Sequence, residues 1–453
     1  MIRKGSACEG CVFRDRGEHM VPDEIRPGAR VYVLGQNPGA EEEAQGRPFV
    51  GATGQAMAKA YFKVAGLTRE DINIGNAIRC RLGGTNDLPP VESKEIKDAI
   101  DHCARGYGSI PPGTKLVIAQ GDYASLRATG YRSSSEWRGW LMPAFGTRAY
   151  GRNLYEPWVP EFGDTPVLVT VHLARLFRDP VLTLPTLSDW AKVPRILRGT
   201  WPRRPPQFHY GPVPEWPARF AFDTEYRPAG PAFPGTLLRY SVAGGTEDGQ
   251  SLVCEAADHR PTRVEPGSRV ITQYAAADIR HLAALLGCSR AEVWQRYVID
   301  DLVFKHAVQY SEMPHDLDFL SSLYSSMNRW KHLREVPGAE VVYAGCDAVG
   351  TLEIDNALER EFVRDPASKH VYEAIDRPSI PVFVKAQYAG LRVNGPRTLE
   401  VVAALEAAKE AAQARATAAV GWPLNLGSLA QVGHRLFRVE GLRPPRAKKS
   451  KRR

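Results

Sequence analysis

The chain has 453 residues, 43% hydrophobic and 24% charged, an ordinary globular composition with room for two to four domains at roughly 100–200 residues each. No apolar run approaches the about 20 residues that cross a bilayer, and Met1-Ile2-Arg3-Lys4-Gly5 leads into a cysteine pair, not an apolar segment, so the sequence predicts a cytoplasmic protein with no membrane partner. The net charge of +8 is concentrated in 443–453, where seven Lys/Arg stand without an acid. That end reads as a disordered basic tail, compatible with a polyanion, and the body before it is close to neutral.

In chain order, a Cys8-x-x-Cys11 pair comes first. The seven cysteines are odd in number, which argues against a disulfide framework and for a metal site. Cys80, just after a strand, and Cys103, on a helix, make a set of four thiols. Four thiolates suit zinc or an iron–sulfur cluster; alternatively Cys80 and Cys103 are small core residues.

Segments 31–34, 72–74, 116–119 and 167–171 read as strands, and 55–65 and 93–105 as helices, an alternation that predicts a parallel sheet flanked by helices. Prolines crowd 201–217, which reads as an interdomain linker. A second α/β stretch runs from 220 to about 360. The chain then turns helical, with strong helix propensity over 403–419.

The first strand ends in Gly35-Gln36-Asn37-Pro38-Gly39, two amides held by Gly and Pro. In an open α/β sheet this carboxyl edge is where ligands bind. Asn37 can hold a water without carrying charge. Phe49, in Gly46-Arg47-Pro48-Phe49-Val50-Gly51, can stack on a flat ligand. Asn76, ending the next strand, offers a base edge both a donor and an acceptor, and His172 ends a later strand. Singly these are more often a turn Asn, a core Phe and a satisfied His; their shared place at strand ends points to a site.

Over 1–195 these motifs resemble the family 4 uracil-DNA glycosylases. The Gly46 to Gly51 motif with Gly54-Gln55, Asn76 with Arg79-Cys80-Arg81, and the order of the four cysteines carry the resemblance. It implies a parallel-sheet α/β/α domain with a structural [4Fe–4S] cluster on Cys8, Cys11, Cys80 and Cys103. It also implies that Phe49 stacks on a flipped uracil, that Gln36 and Asn76 bind it, and that His172 faces its O2. The family's Gly-Glu-Ala-Pro-Gly is Gly35-Gln36-Asn37-Pro38-Gly39 here, with an Asn like that of the mismatch-specific and single-strand-selective glycosylases. An amide positions water but is a poor base, so slower chemistry or altered preference is expected. His-Pro-Ser is replaced by His172-Leu173-Ala174, and the Cys80 to Cys103 spacing is longer than usual.

Phe220-Ala221-Phe222-Asp223-Thr224-Glu225-Tyr226 places two carboxylates on one face of a strand, which invites a divalent cation. Asp278 follows at a strand-to-helix passage, and Tyr343 and Asp347 share a helix face four residues apart. A two-metal phosphodiester site needs acids for both cations and a group to orient water. Over 218–362 this order resembles the RNase H-like 3′→5′ proofreading exonuclease of family A DNA polymerases. The resemblance implies two magnesium ions on Asp223, Glu225, Asp278 and Asp347, with Tyr343 orienting water. Trp330-Lys331-His332-Leu333 is similar to the phage-type branch; Tyr274 replaces a frequent Asn.

Arg377-Pro378-Ser379-Ile380-Pro381, Gly390-Leu391-Arg392-Val393-Asn394 and Asn425-Leu426-Gly427-Ser428 resemble the thumb of the same polymerases over 363–442. The palm's acids are absent, which implies a polymerase encoded in pieces, with a separate palm-and-fingers subunit, or a truncated product. The expectation is therefore an α/β multidomain DNA-processing protein with a linker at 196–217, acting on single strands or 3′ primer ends; the alternative is a non-catalytic front domain that senses uracil or grips DNA, in an exonuclease or docking subunit of a polymerase.

Overall fold

The computed structural model describes residues 2–17, 19–83, 86–107, 110–132, 134–143, 165–202, 208–211, 215–227, 236–244, 250–255 and 264–443. These form two compact units, 1–385 and 386–453; the basic tail beyond Arg443 lies outside the described residues. No described helix is long and apolar enough to cross a membrane.

The described residues of unit 1 hold two main sheets and a two-stranded one. A short hairpin, β1 (Ile2–Arg3) and β2 (His19–Met20), frames the first cysteine pair. The first main sheet contains β3 (Val31–Gly35), β4 (Ile72–Asn76), β5 (Leu116–Gln120), β6 (Leu141–Pro143) and β7 (Pro166–Thr170), in the order β4-β3-β5-β7-β6. Its four expected strands are parallel and buried throughout, as near-continuous apolar runs require when helices cover both faces. The antiparallel edge strand β6 was not expected; three residues give no periodicity to read.

The second sheet contains β8 (Phe208–Tyr210), β9 (Arg219–Arg227), β10 (Thr236–Gly244), β11 (Gln250–Glu255), β12 (Arg269–Thr272) and β13 (Val298–Asp301), in the order β13-β12-β9-β10-β11-β8. β9, β10 and β11 form an antiparallel meander, while β12 and β13 run parallel to β9 and β8 runs parallel to β11. The 25-residue helix Glu340–Arg364 packs on this sheet and buries Tyr343, Cys346 and Asp347.

The expected linker at 196–217 is a correction. Ile196 and Trp201 are buried in the core, 208–210 is a sheet strand, and Trp216 packs on Phe220, Phe222 and Tyr240. The prolines interrupt regular structure, but the aromatics between them are large apolar groups that gain by burial. Segments 203–207 and 212–214 lie outside the described residues.

The two sheets share one core, in which Trp140, Trp190 and Trp201 join Leu317, Leu320 and Trp330. Between them lies a charged knot. Asp189, with no exposed surface, accepts from Arg138 at 2.7 Å and from the Thr170 hydroxyl at 2.8 Å. Arg138 also reaches the Ser322 hydroxyl, and Lys192 donates to Gly139 O (2.5 Å) and Ser322 O (2.6 Å). Each cation thus ties the first domain to the helix Leu317–Tyr324 of the second.

Unit 2 is helical. Gly395–Val420 is capped by the Asn394 side chain and stopped by Gly421 at φ 76°, and none of its side chains is buried. Leu399 is 71% exposed and Leu405 64%.

Replacing Asp189 by Ala leaves Arg138 and Lys192 buried without their anion. A loss of about 3–5 kcal/mol is expected, read as a lower midpoint in thermal unfolding, with both sheets melting together because they share a core.

Candidate active sites

The first site forms where β3 and β4 end side by side, Gly35 opposite Asn76. A Cβ on Gly35 would lie 2.5 Å from Phe49 Cζ and 2.6 Å from Asn76 Oδ1. The ring and the amide therefore meet over a bare Cα, a place only Gly can fill. Asn76 is 2% exposed, and its Nδ2 has no hydrogen-bond partner among the described residues. Such an orphan donor costs about 1–3 kcal/mol, so a ligand acceptor there would relieve it.

Phe49 is the one described non-glycine residue with positive φ, 54°, a conformation costly for a bulky residue. Its neighbours impose it. The Phe49 carbonyl lies 1.8 Å from where a Gly54 Cβ would stand. Arg69 donates to the carbonyls of Phe49 (3.0 Å) and Pro48 (2.6 Å) and is itself held by Glu24. Burial pushes the Glu24 carboxyl up, but Arg69, then Arg26 and Arg47, outweigh it and hold it at about 2.

Asn37, half-buried, makes one long contact, Nδ2 to Asn86 O at 3.4 Å. Gln36 takes part through its backbone carbonyl, which accepts from Ile78 N–H at 3.0 Å. His172 follows β7 and caps the helix Leu173–Leu176, its Nδ1 accepting from Ala174 N–H at 3.3 Å. Burial, aided by Arg178, pulls its pKa down to about 4. The imidazole is thus neutral with its proton on Nε2. Phe49 and Asn76 are in direct juxtaposition, whereas His172 stands at the same sheet edge two strands away from β3.

Cys8, Cys11, Cys80 and Cys103 line one hollow with Lys4 and Phe13. Phe13 N–H donates to Cys11 Sγ at 3.4 Å. Burial raises the Cys80 thiol to about 12; Lys4 opposes this, and the other three cysteines add to it. Four thiolates so near one another need a cation. An all-sulfur donor set lining one hollow fits an iron–sulfur cluster or a zinc ion.

The second site lies on β9 and the helix Glu340–Arg364. Asp223, Glu225 and Asp347 have oxygen atoms within 4.8 Å of one another. Asp278 stands apart from this triad, accepting from the Thr224 hydroxyl at 2.7 Å. Burial, then the charges of Asp347, Asp278 and Glu225, hold Asp223 well above the usual carboxylate range. Burial likewise pushes Asp278 to about 7 against the Thr224 hydrogen bond. Tyr343 is buried beside Asp347, its hydroxyl 3.3 Å from Lys331 Nζ.

Residues 22–192 match the Uracil DNA glycosylase superfamily. Over that span the chain carries a glycosylase superfamily domain. The type-4 uracil-DNA glycosylase of Saccharolobus solfataricus is 31% identical over 124 residues, 27% of this chain and 54% of that protein. That of Archaeoglobus fulgidus is 28% identical over 125 residues, 28% of this chain and 60% of its own length. The chain spans about half the length of the curated relatives it matches. A solved structure, "Brucella melitensis NrnC with bound Mg2+", is similar at 18% identity and TM-score 0.31, over 42% of this chain and 98% of that one; a likeness so slight carries no argument.

Several supporting residues escaped sequence reasoning. Arg69 and Glu24 brace the glycosylase domain's Phe49, and Arg127 binds the Asn76 carbonyl at 2.5 Å. Trp330 and Lys331 bind Asp347. Only the last two lay in a noted motif; the others are common residues joined across long sequence distances.

Raised carboxyls bind a cation only after losing their protons. Mn2+ affinity of the acid site, measured by calorimetry, is therefore expected to rise by about tenfold between pH 6 and pH 8, as Asp278, pushed to about 7, ionises. A flat profile would mean that these acids ionise in the ordinary range.

Proposed function

We propose that this chain processes DNA at two separate sites: one releases uracil, and the other shortens strands from the 3′ end. The observation that carries the first is the meeting of the Phe49 ring with the orphan Asn76 amide over Gly35. Phe49 is a stacking platform for a flipped base, and Asn76 Nδ2 is a buried donor for its edge, with Gln36 beside it. Cleavage breaks the N1–C1′ bond, leaves the electron pair on uracil, and adds water at C1′. His172 donates from Nε2 to O2 as negative charge develops there, and Asn37 positions the water. Because Asn37 is not a base, modest turnover is expected.

Cys8, Cys11, Cys80 and Cys103 would hold a [4Fe–4S] cluster. It would serve as a structural clamp, since base release moves no electrons. The clamp would join the segment before β2, the stretch after β4 and the helix Lys94–Tyr107.

The second reading, an RNase H-like proofreading exonuclease, is supported by the acid triad and by the strand order β11-β10-β9-β12-β13 with its antiparallel meander. Asp223, Glu225 and Asp347, with Asp278 behind them, would hold magnesium, which when bound supplies positive charge to the scissile phosphate. Tyr343 would orient the attacking water as the P–O3′ bond breaks. The exposed apolar side chains of Gly395–Val420 support a thumb-like segment that a separate palm-and-fingers chain would cover.

Anaerobically purified protein is incubated with a single-stranded oligonucleotide carrying one internal uracil, in EDTA and in magnesium. Uracil release in EDTA is expected, lowered about 10²–10³-fold by His172→Ala and less by Asn37→Ala, and it should stay level from pH 8 to 6 and fall only toward pH 4. Magnesium-dependent shortening is expected to vanish in Asp223→Ala with uracil release intact. Shortening without base release would mean that the glycosylase domain senses or grips DNA.

The Gly35→Ala variant places a methyl group between Phe49 and Asn76. It should lose uracil release by about 10²-fold and about 1–3 kcal/mol of stability, while keeping the cluster absorbance of the parent and its shortening of strands in magnesium. Retained activity would remove the pocket from its assigned place.

A further inference from the structure

Asp347 receives two donors on one oxygen. Trp330 Nε1–H donates to Oδ1 at 2.5 Å and Lys331 Nζ at 2.6 Å. Lys331 also reaches the Tyr343 hydroxyl at 3.3 Å and lies 5.0 Å from the centre of its ring. Burial alone would pull the Lys331 ammonium down, but Asp347 and Tyr343 outweigh it. One carboxylate oxygen is therefore fixed, and the other is left to a metal ion. Trp330 and Lys331 set the orientation of both the acid and the phenol.

These two residues sit in a segment, 325–335, with little regular structure of its own before a short 3₁₀ turn. One side rests on the helix Glu340–Arg364. Gly350 leaves room for Trp330, since a Cβ there would lie 2.6 Å from Trp330 Cη2. Glu353 accepts from Ser325 and Ser326.

The other side rests on the glycosylase domain. Asn328 pairs with the Leu141 backbone in both directions, accepting from its N–H at 3.1 Å and donating to its carbonyl at 3.0 Å. Trp330 meets Trp140 edge-on, ring centres 6.4 Å apart. Arg329 lies 4.7 Å from the Trp137 ring centre and pairs with Glu136 at 3.2 Å. Trp140 is itself buried, with Lys192 Nζ 5.3 Å from its ring centre. The loop that grips Asp347 is thus shaped by residues 136–141 of a different domain.

We propose that the glycosylase domain positions the exonuclease triad, with Trp140 and Leu141 holding the segment 328–331 so that Trp330 and Lys331 fix Asp347 and Tyr343. Trp140, Asn328, Trp330 and Lys331 are positioning residues. The proposal rests on the exonuclease reading. Partners of this kind commonly change metal affinity by about 10–100-fold when removed.

The test uses the full chain and three readouts: Mn2+ binding by calorimetry without DNA, the magnesium concentration that half-saturates 3′ shortening, and uracil release in EDTA. Trp330→Phe keeps the ring but removes the N–H donor. Asn328→Ala removes the pairing with Leu141, and Trp140→Phe shrinks the backing wall. Trp330→Phe and Asn328→Ala are each expected to weaken Mn2+ binding about tenfold and raise the magnesium requirement to match. Their rate at saturating magnesium should fall less and uracil release should stay within twofold; Trp140→Phe should shift in the same direction by less. Parent-like Mn2+ binding in Trp330→Phe and Asn328→Ala would overturn the proposal. So would loss of uracil release in step with Mn2+ binding, because the joint would then serve folding and not the triad. Absence of Mn2+ binding and shortening in the parent, with Asp223→Ala indistinguishable from it, would instead overturn the exonuclease reading.

Discussion

Asp189 is buried between Arg138 and Lys192, and both cations spend further hydrogen bonds on Ser322 across the domain boundary. Neither cation could be buried without that carboxylate, and the carboxylate could not be buried without them. Their mutual need fixes where the glycosylase domain meets the second sheet. The apolar contacts around the knot, Trp140 on Trp330 and Trp201 with its indole N–H toward Ser325 O, exclude water from it. They also supply the nonpolar burial that an ion cluster alone does not provide. A proline-rich connection would suggest two beads on a string; this joint makes them one body.

The two sites have opposite electrostatic designs. The site at the ends of β3 and β4 sets an aromatic ring against an amide, with a neutral imidazole two strands along the same sheet edge. A departing uracil carries negative charge, and nearby buried carboxylates would oppose it. The site on β9 gathers Asp223, Glu225 and Asp347, whose mutual repulsion and burial keep protons bound until a cation replaces them. On the proposed reading, chemistry that expels an anion and chemistry that collects cations stand on separate sheets of one body.

The sequence made visible what depends on local period. Buried strands showed as apolar runs, Asp-x-Glu as a same-face pair, and Tyr343 with Asp347 as helix neighbours. Position at strand ends gathered Asn37, Asn76 and His172 along one edge. What depends on long-range pairing stayed hidden. Thr224, between the two acids of β9, donates to Asp278, which the resemblance assigned to the metal group. The linker was misread because proline content masks the packing of Trp201, Phe208 and Trp216; the first two meet Ser325 and Gly345, far along the chain. β6 is too short for any pattern, and its role as the face that receives Asn328 is a property of two domains together.

In both sites the residues that carry chemistry are held by residues that carry none. Phe49 keeps a backbone conformation that costs of order 1–3 kcal/mol for a non-glycine residue, enforced by Arg69 on its carbonyl and by Gly54 beneath it. Asp347 has one oxygen pinned by an indole and an ammonium that a neighbouring domain holds in place. Such bracing removes motion before the substrate arrives, so binding energy need not be used to order the site. On the proposed glycosylase reading, an amide at Asn37 would slow the hydrolytic step, while the platform and edge donor already in place would keep recognition of the base.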